Sequence, residues 1–190
     1  MIAHRYYPLI SLASLSLVLL QRGTALAQEA HVHAVAQTAA KVQIPSSIRA
    51  EHQEIHASLI EATRVAGPVG VAAKALADVL HPHFVREEQV ALPPLGLLAA
   101  LARGEMPEGA AAVQAMSDTL RAELPTMLEE HKRIRAAVAE LGKVAQAAGA
   151  AKYERLAEQL AQHALTEEEV LYPAAILVGD LIRARHHHCR

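Results

Sequence analysis

Four histidines and two glutamates recur in this chain at matched spacing. His83, Glu87, Glu88 and Pro93 are answered about eighty residues later by His163, Glu167, Glu168 and Pro173. Upstream, Glu51, His52 and Ile55 are answered by Glu130, His131 and Ile134 at nearly the same offset. A His and a Glu four apart on a helix differ by only about 40° of rotation, so both leave one face and can grip one metal centre. Imidazole and carboxylate donors suit iron, manganese or zinc, and a carboxylate can bridge two cations. His52, His83, Glu87, His131, His163 and Glu167 are therefore candidate ligands of a dinuclear site. A single histidine on an apolar face is ordinarily a hydrogen-bonded core residue, but six matched positions argue against that reading here.

The neighbouring polar residues divide less sharply. His56 follows His52 by four residues on the same face and is either a further ligand or a group outside the ligand set. Glu88, Glu168 and Glu169 read most simply as a solvated helix face, with Glu88 or Glu168 the alternative choice for orienting a ligand histidine, and Glu51 and Glu130 stand in the same position. His81, beside Pro82, cannot share the face of His83 and reads as non-ligating. His31, His33 and the closing His186, His187, His188 and Cys189 are weak metal scavengers or plain polar ends. No nucleophile triad, phosphate loop or nicotinamide fingerprint occurs, so any chemistry belongs to the metal.

Such a layer of ligands needs helices to carry it. The chain has 190 residues, 52% of them hydrophobic, with no Trp and one Phe; its core must be built from Ala, Leu, Val and Ile. Ala and Leu are strong helix formers, and the length suits one domain. Apolar spacing predicts helices over 47–66 (Ile48, Ile55, Leu59, Ile60) and 69–92 (Val71, Leu76, Val79, Leu80, Phe84). Two more are expected over 117–148 (Leu124, Leu128, Ile134, Val138, Leu141) and 151–172 (Leu156, Leu160, Leu165). Gly67 and Pro68 stop the first. Pro82 should kink or break the second, Pro125 should bend the third and Pro173 should close or kink the fourth. The expected architecture is all-α: an antiparallel up-down four-helix bundle over 45–178, made of two duplicated helical hairpins, with a short apolar helix over 174–182.

The ends read differently. A basic start, an apolar run over 9–20 broken by Ser11, Ser14 and Ser16, and Ala25, Leu26 and Ala27 ahead of Gln28 have the order of a secretory signal peptide, cleaved after Ala27. The run is too short to span a bilayer, which needs about twenty apolar residues. The mature protein is expected to be soluble and exported, periplasmic or secreted, with no membrane association. Residues 28–44 read as a flexible leader and 179–190 as a His-rich tail. Cleavage removes Arg5 and Arg22 from 18 basic residues and none of the 20 acidic ones. The resulting charge of about −4 argues against nucleic acid as a partner. A single cysteine excludes an internal disulfide.

With these residues assembled, the chain resembles the hemerythrin-like, or HHE cation-binding, domain over roughly 48–176. The resemblance rests on His52, His83 with Glu87, His131, His163 with Glu167, the glutamates after each pair, and the ending Leu171, Tyr172, Pro173. It implies two iron ions, oxo- or hydroxo-bridged, between four helices. The first two helices would dress one iron and the last two the other, with Glu87 and Glu167 bridging. It also implies dioxygen, or a related small ligand such as nitric oxide or peroxide, as the partner. Two departures stand out. Arg135 occupies the place of a second third-helix histidine, while His56 offers one on the first helix, which would move the open position to the second iron. Glu167, four residues after His163, replaces an Asp at five, which puts reversible oxygen carriage in question while leaving metal binding untouched. Three functions follow: oxygen binding or sensing, a di-iron peroxidase, oxidase or nitric-oxide-handling enzyme, or metal buffering with zinc or manganese as further options.

Overall fold

Gly67 takes a positive φ of 84° and Pro68 stands at the first helical position, so the chain turns sharply between its first two helices. In the computed structural model, which describes residues 42–188, α1 is Ser46–Thr63 and α2 is Pro68–Val90. A 3₁₀ segment, Pro93–Leu97, and a short α3, Leu98–Ala102, lead to α4, Ala110–Ala147. Then α5, Ala151–Thr166, passes through a π-helical turn, Glu167–Leu171, into α6, Tyr172–His188. No strand occurs among the described residues. Residues 1–27, which the sequence reading takes as a signal peptide, and His31, His33 and Cys189 lie outside them.

The four long helices form a bundle: α1 packs on α2, α2 on α4, α4 on α5, and α5 back on α1, with α6 laid along α4. Two apolar clusters fill it. One contains Ile55, Leu59, Leu76, Leu80, Phe84, Ile134, Val138, Leu141, Leu156 and Leu160, and the other Leu92, Leu95, Leu120, Met127 and Tyr172. Full burial of each Leu or Ile contributes about 1.5–3 kcal/mol. Ile60, Val71 and Leu165, expected on apolar stripes, face outward at 39%, 69% and 43% exposure. They lie on the far side of the helix from the buried residues that decide its orientation.

Several expected boundaries are corrected. The third long helix starts at Ala110, seven residues before the expected start at 117, because Gly109 with φ 91° supplies the turn and Ala110, Ala112 and Val113 find buried places. Pro82, expected to kink or break its helix, does not break it, and α4 likewise continues through Pro125. A proline inside a helix costs about 3 kcal/mol, which burial of Leu76, Leu80, His83 and Phe84 around Pro82 offsets. At Pro173 the chain stays helical as well. The closing segment is not a tail: α6 runs to His188, Ile182 is fully buried, and Arg183 pairs with Asp118. Arg185 donates to the Leu101 and Glu105 carbonyls. At the other end, the leader does not stay free as far as 44. Val42 and Ile44 pack on apolar clusters and the Gln43 carbonyl sits against Gly96.

α6 comes so close to α4 that only glycine fits at 179. A Cβ there would stand 2.4 Å from Ser117 Cβ and 2.9 Å from its Oγ, the hydroxyl that donates to the Ala175 carbonyl at 2.7 Å. Helix propensity favours Ala over Gly by about 1 kcal/mol, but overpacking costs about 1–3 kcal/mol. Gly179→Ala is therefore expected to lower stability in a urea titration, and an unchanged or raised midpoint would contradict the close approach.

Candidate metal centre

In each long helix, one buried His or His–Glu pair sits between the two apolar clusters. On α1, His52 lies between Ile48 and Ile55; on α2, His83 and Glu87 lie between Leu80 and Ala91. On α4, His131 lies between Met127 and Ile134; on α5 and at the start of the π turn that follows it, His163 and Glu167 lie between Leu160 and Tyr172. Six polar side chains thus form a layer across the middle of an aliphatic core. The most exposed of them, His163, shows only 4% of its surface, and Glu87 shows none. Uncompensated burial of two carboxylates is strongly unfavourable, so their surroundings must compensate.

The donor atoms gather in two groups that share Glu167. His83, Glu87, His131 and Glu167 offer atoms within 4.8 Å of one another, and so do His52, His163 and Glu167. In the first group, His83 Nε2 lies 2.8 Å from His131 Nε2 and 3.4 Å from Glu87 Oε1. In the second, Glu167 Oε1 lies 2.9 Å from His163 Nε2 and 3.5 Å from His52 Nε2. Glu167 Oε2 reaches back to His131 Nε2 at 3.5 Å. The nearest imidazoles come from α2 with α4 and from α1 with α5, whereas the family resemblance implied irons dressed by α1 with α2 and by α4 with α5.

Outside the layer, carboxylates hold the far edges of the rings. Glu130 bonds His83 Nδ1 at 2.8 Å, Glu168 bonds His131 Nδ1 at 2.8 Å, and Glu51 bonds His163 Nδ1 at 3.2 Å. Glu88 approaches His52 Nδ1 at 3.8 Å, while Phe84 stacks on the His52 ring with centroids 4.2 Å apart. A carboxylate on Nδ1 fixes the ring and turns Nε2 toward the interior, as it does behind metal-bound histidines. The alternative assignment of Glu51, Glu130 and Glu168 to ring orientation is therefore the correct one. Arg135, standing where a further histidine was expected, pairs with Glu168 and so anchors the group behind His131.

A family model, the hemerythrin HHE cation-binding domain, matches residues 43–175. The chain belongs to that family. Neither the curated proteins nor the solved structures returned a significant match.

Whether this hemerythrin-like layer fits a cation can be tested on its buried atoms. His52 Nδ1 and Nε2, His163 Nε2, Glu87 Oε2 and Glu167 Oε1 have no hydrogen-bond partner. The 2.9 Å approach of His163 Nε2 to Glu167 Oε1 lacks hydrogen-bond geometry. Donors crowded together but not aimed at one another suit a shared cation better than they suit each other, and the His/Glu donor set suits iron, manganese or zinc.

His56 is placed elsewhere. It is exposed, belongs to neither group, and faces the exposed His81 with ring centroids 5.8 Å apart. The buried face of α1 runs through His52, Ile55, Leu59 and Ala62, so His52 stands at its edge and a further rotation of about 40° carries His56 out of it. Tyr172 is the residue that sequence reasoning missed as part of the site. Its hydroxyl donates a short hydrogen bond to Glu87 Oε1 and lies 3.0 Å from His131 Nε2. The only sequence signal was its place in the ending Leu171, Tyr172, Pro173.

The electrostatics of the hemerythrin-like site set a pH dependence. Burial opposes the charged form of His83, but Glu87, Glu130 and Glu167 outweigh it and raise its pKa to about 9. His163 rises to about 9 in the same way, with Glu167, Glu87 and Glu51 outweighing burial. Burial and the facing Glu167 hold the Glu87 carboxyl above its usual range, whereas contacts with His131, His163 and His52 overcome burial and hold Glu167 well below. Both histidine values stand above 6.5, so in the metal-stripped protein their stabilisation is complete below about pH 6.5 and is lost as pH rises through about 9. A cation needs the neutral rings and competes with those protons. Affinity is thus expected to climb between pH 6.5 and 9, by up to about tenfold per pH unit for each ring. A competition titration that finds a flat profile over this window would contradict the assigned ring environments.

Proposed function

We propose that this protein is an exported non-haem di-iron protein that binds dioxygen or a related small ligand. The observation that carries the proposal is the pair of donor groups sharing Glu167, with five unpartnered buried atoms between them. His83, His131, Glu87 and Glu167 would hold one iron, and His52, His163 and Glu167 the other. Bound there, a ferrous pair supplies two electrons to a small oxidant. Glu130, Glu168 and Glu51 hold the imidazoles in register. Leu80, Phe84, Ile134, Val138 and Leu160 keep water from the layer.

The same reading includes an antiparallel up-down bundle built from two equivalent hairpins. Its support is the order of clusters along the chain. On α1 and α4 the cluster around Leu92 and Met127 precedes the layer, and on α2 and α5 it follows. Export is likewise part of the proposal, supported by the signal-like order of residues 1–27.

Metal content measured on untagged mature protein, with the optical spectrum before and after dithionite and then air, tests the reading. Two irons per chain and a near-ultraviolet band that bleaches and returns are expected. Zinc as the native metal would turn the function to metal buffering, and sustained turnover with added reductant would make the centre an enzyme.

A further inference from the structure

The echo between the two halves breaks at one buried position. At the interval that relates Glu87 to Glu167, the counterpart of Tyr172 is Leu92. The backbone behaves alike at both. The Leu92 amide donates to the Glu87 carbonyl at 3.0 Å, and the Tyr172 amide donates to the Glu167 carbonyl. In an α-helix a residue five positions on lies about 140° round the axis. A bond from i to i+5 widens the turn and brings that residue back toward the face of residue i. Leu92 and Tyr172 are both fully buried in the cluster that covers one side of the layer. One brings a hydrocarbon there and the other a phenol.

The phenol oxygen stands among the donors of the first group. It lies 3.0 Å from His131 Nε2 and 3.4 Å from His83 Nε2, two nitrogens themselves 2.8 Å apart, and it donates to Glu87 Oε1. With metal–nitrogen bonds of about 2.0–2.1 Å, donors sharing one cation at angles of about 90–110° stand about 2.9–3.4 Å apart. The oxygen meets that spacing toward both imidazoles.

We propose that Tyr172 is itself a ligand, binding the cation held by His83 and His131 and making the two positions of the centre chemically unequal. The inference rests on the dinuclear reading above. As the oxygen–metal bond forms, the phenol O–H bond breaks and its proton leaves to solvent. His83, Glu87, His131, Glu167 and Tyr172 then give that position five protein donors. His52, His163 and Glu167 give the other fewer, and it is the one left to an exogenous ligand. The asymmetry comes from a phenol in one half, where sequence spacing had suggested an extra histidine, His56, in the other.

Ferrous loading of the full-length mature chain followed by air oxidation provides the test. A tyrosinate bound to ferric iron gives a visible charge-transfer band, and Raman excitation within that band enhances tyrosine ring modes. Among the described residues the other tyrosine is Tyr153, on α5. The band and ring modes are expected in the wild type and in Tyr153→Phe, and their loss to background in Tyr172→Phe with two irons retained. Wild-type protein with two irons and no tyrosinate modes overturns this proposal and leaves the di-iron centre standing. Persistence of the modes in Tyr172→Phe overturns it equally. Wild-type protein that takes up no metal overturns both readings. The wild-type and Tyr153→Phe spectra decide the matter even if Tyr172→Phe fails to fold.

Discussion

If the centre is dinuclear as proposed, Glu167→Ala is expected to empty both metal positions at once, taking the metal content from two per chain to less than one. Glu167 is the one residue common to the two donor groups. Its Oε1 faces His163 and His52 while its Oε2 faces His131. Removing it leaves four imidazoles divided between two positions that nothing bridges. Replacing an orienting carboxylate behind a ligand typically lowers affinity by about 10–100-fold, and loss of a shared ligand should exceed the upper figure. Glu130→Gln and Glu51→Gln provide the scale, since each disturbs the outer edge of a single ring. Metal analysis with competitive titration reads all three. A Glu167→Ala protein that keeps two tightly held cations would dismiss the shared-carboxylate arrangement.

Chelation of the metal should have the largest effect on stability. In the stripped protein, Glu87 and Glu167 remain buried side by side, with Glu87 forced above its usual pKa and His83 and His163 charged to compensate. A cation bound only by the folded state adds about 4 kcal/mol when present at a thousand times its dissociation constant. For a chain of this size each kcal/mol moves Tm by about 2–4 °C, so removal of metal should lower Tm by about 10 °C. The α-helical signal should persist below the lowered transition, since the two aliphatic clusters on either side of the layer contain no ligand histidine or glutamate. Calorimetry with and without chelator measures this. Equal Tm values would mean that cations do not occupy the buried layer.

Much of this was legible in the amino-acid order because helices translate spacing into faces. A His and a Glu four apart, repeated once per half, fall on one face wherever the helix begins, so an error of several residues at the start of α4 left His131 unaffected. The alternation of Leu, Ile and Val around the same positions marked the core for the same reason. The errors lie where one turn of helix is too coarse a ruler. His56 is four residues from His52, yet the inward face of α1 is narrow enough to admit one and leave the other exposed. Pro82 read as a kink or a break because a local rule does not register the burial that offsets its cost and lets the helix continue. The segment after 178 read as a tail because its contacts, Arg183 with Asp118 and Arg185 with the 101–105 region, join residues far apart in the chain.

Composition and spacing by themselves determined an all-helical domain, a duplicated His/Glu pattern and the six residues that form the buried polar layer, since each is a property of one helix at a time. Which donors stand together was a tertiary decision. The assembled bundle sets His83 against His131 and His52 against His163, each pair from helices that spacing along the chain does not link. Only that packing brought Glu130, Glu168 and Glu51 behind rings carried by other helices. The hydroxyl of Tyr172 reached the layer through a π turn whose extra residue no α-helical periodicity anticipates.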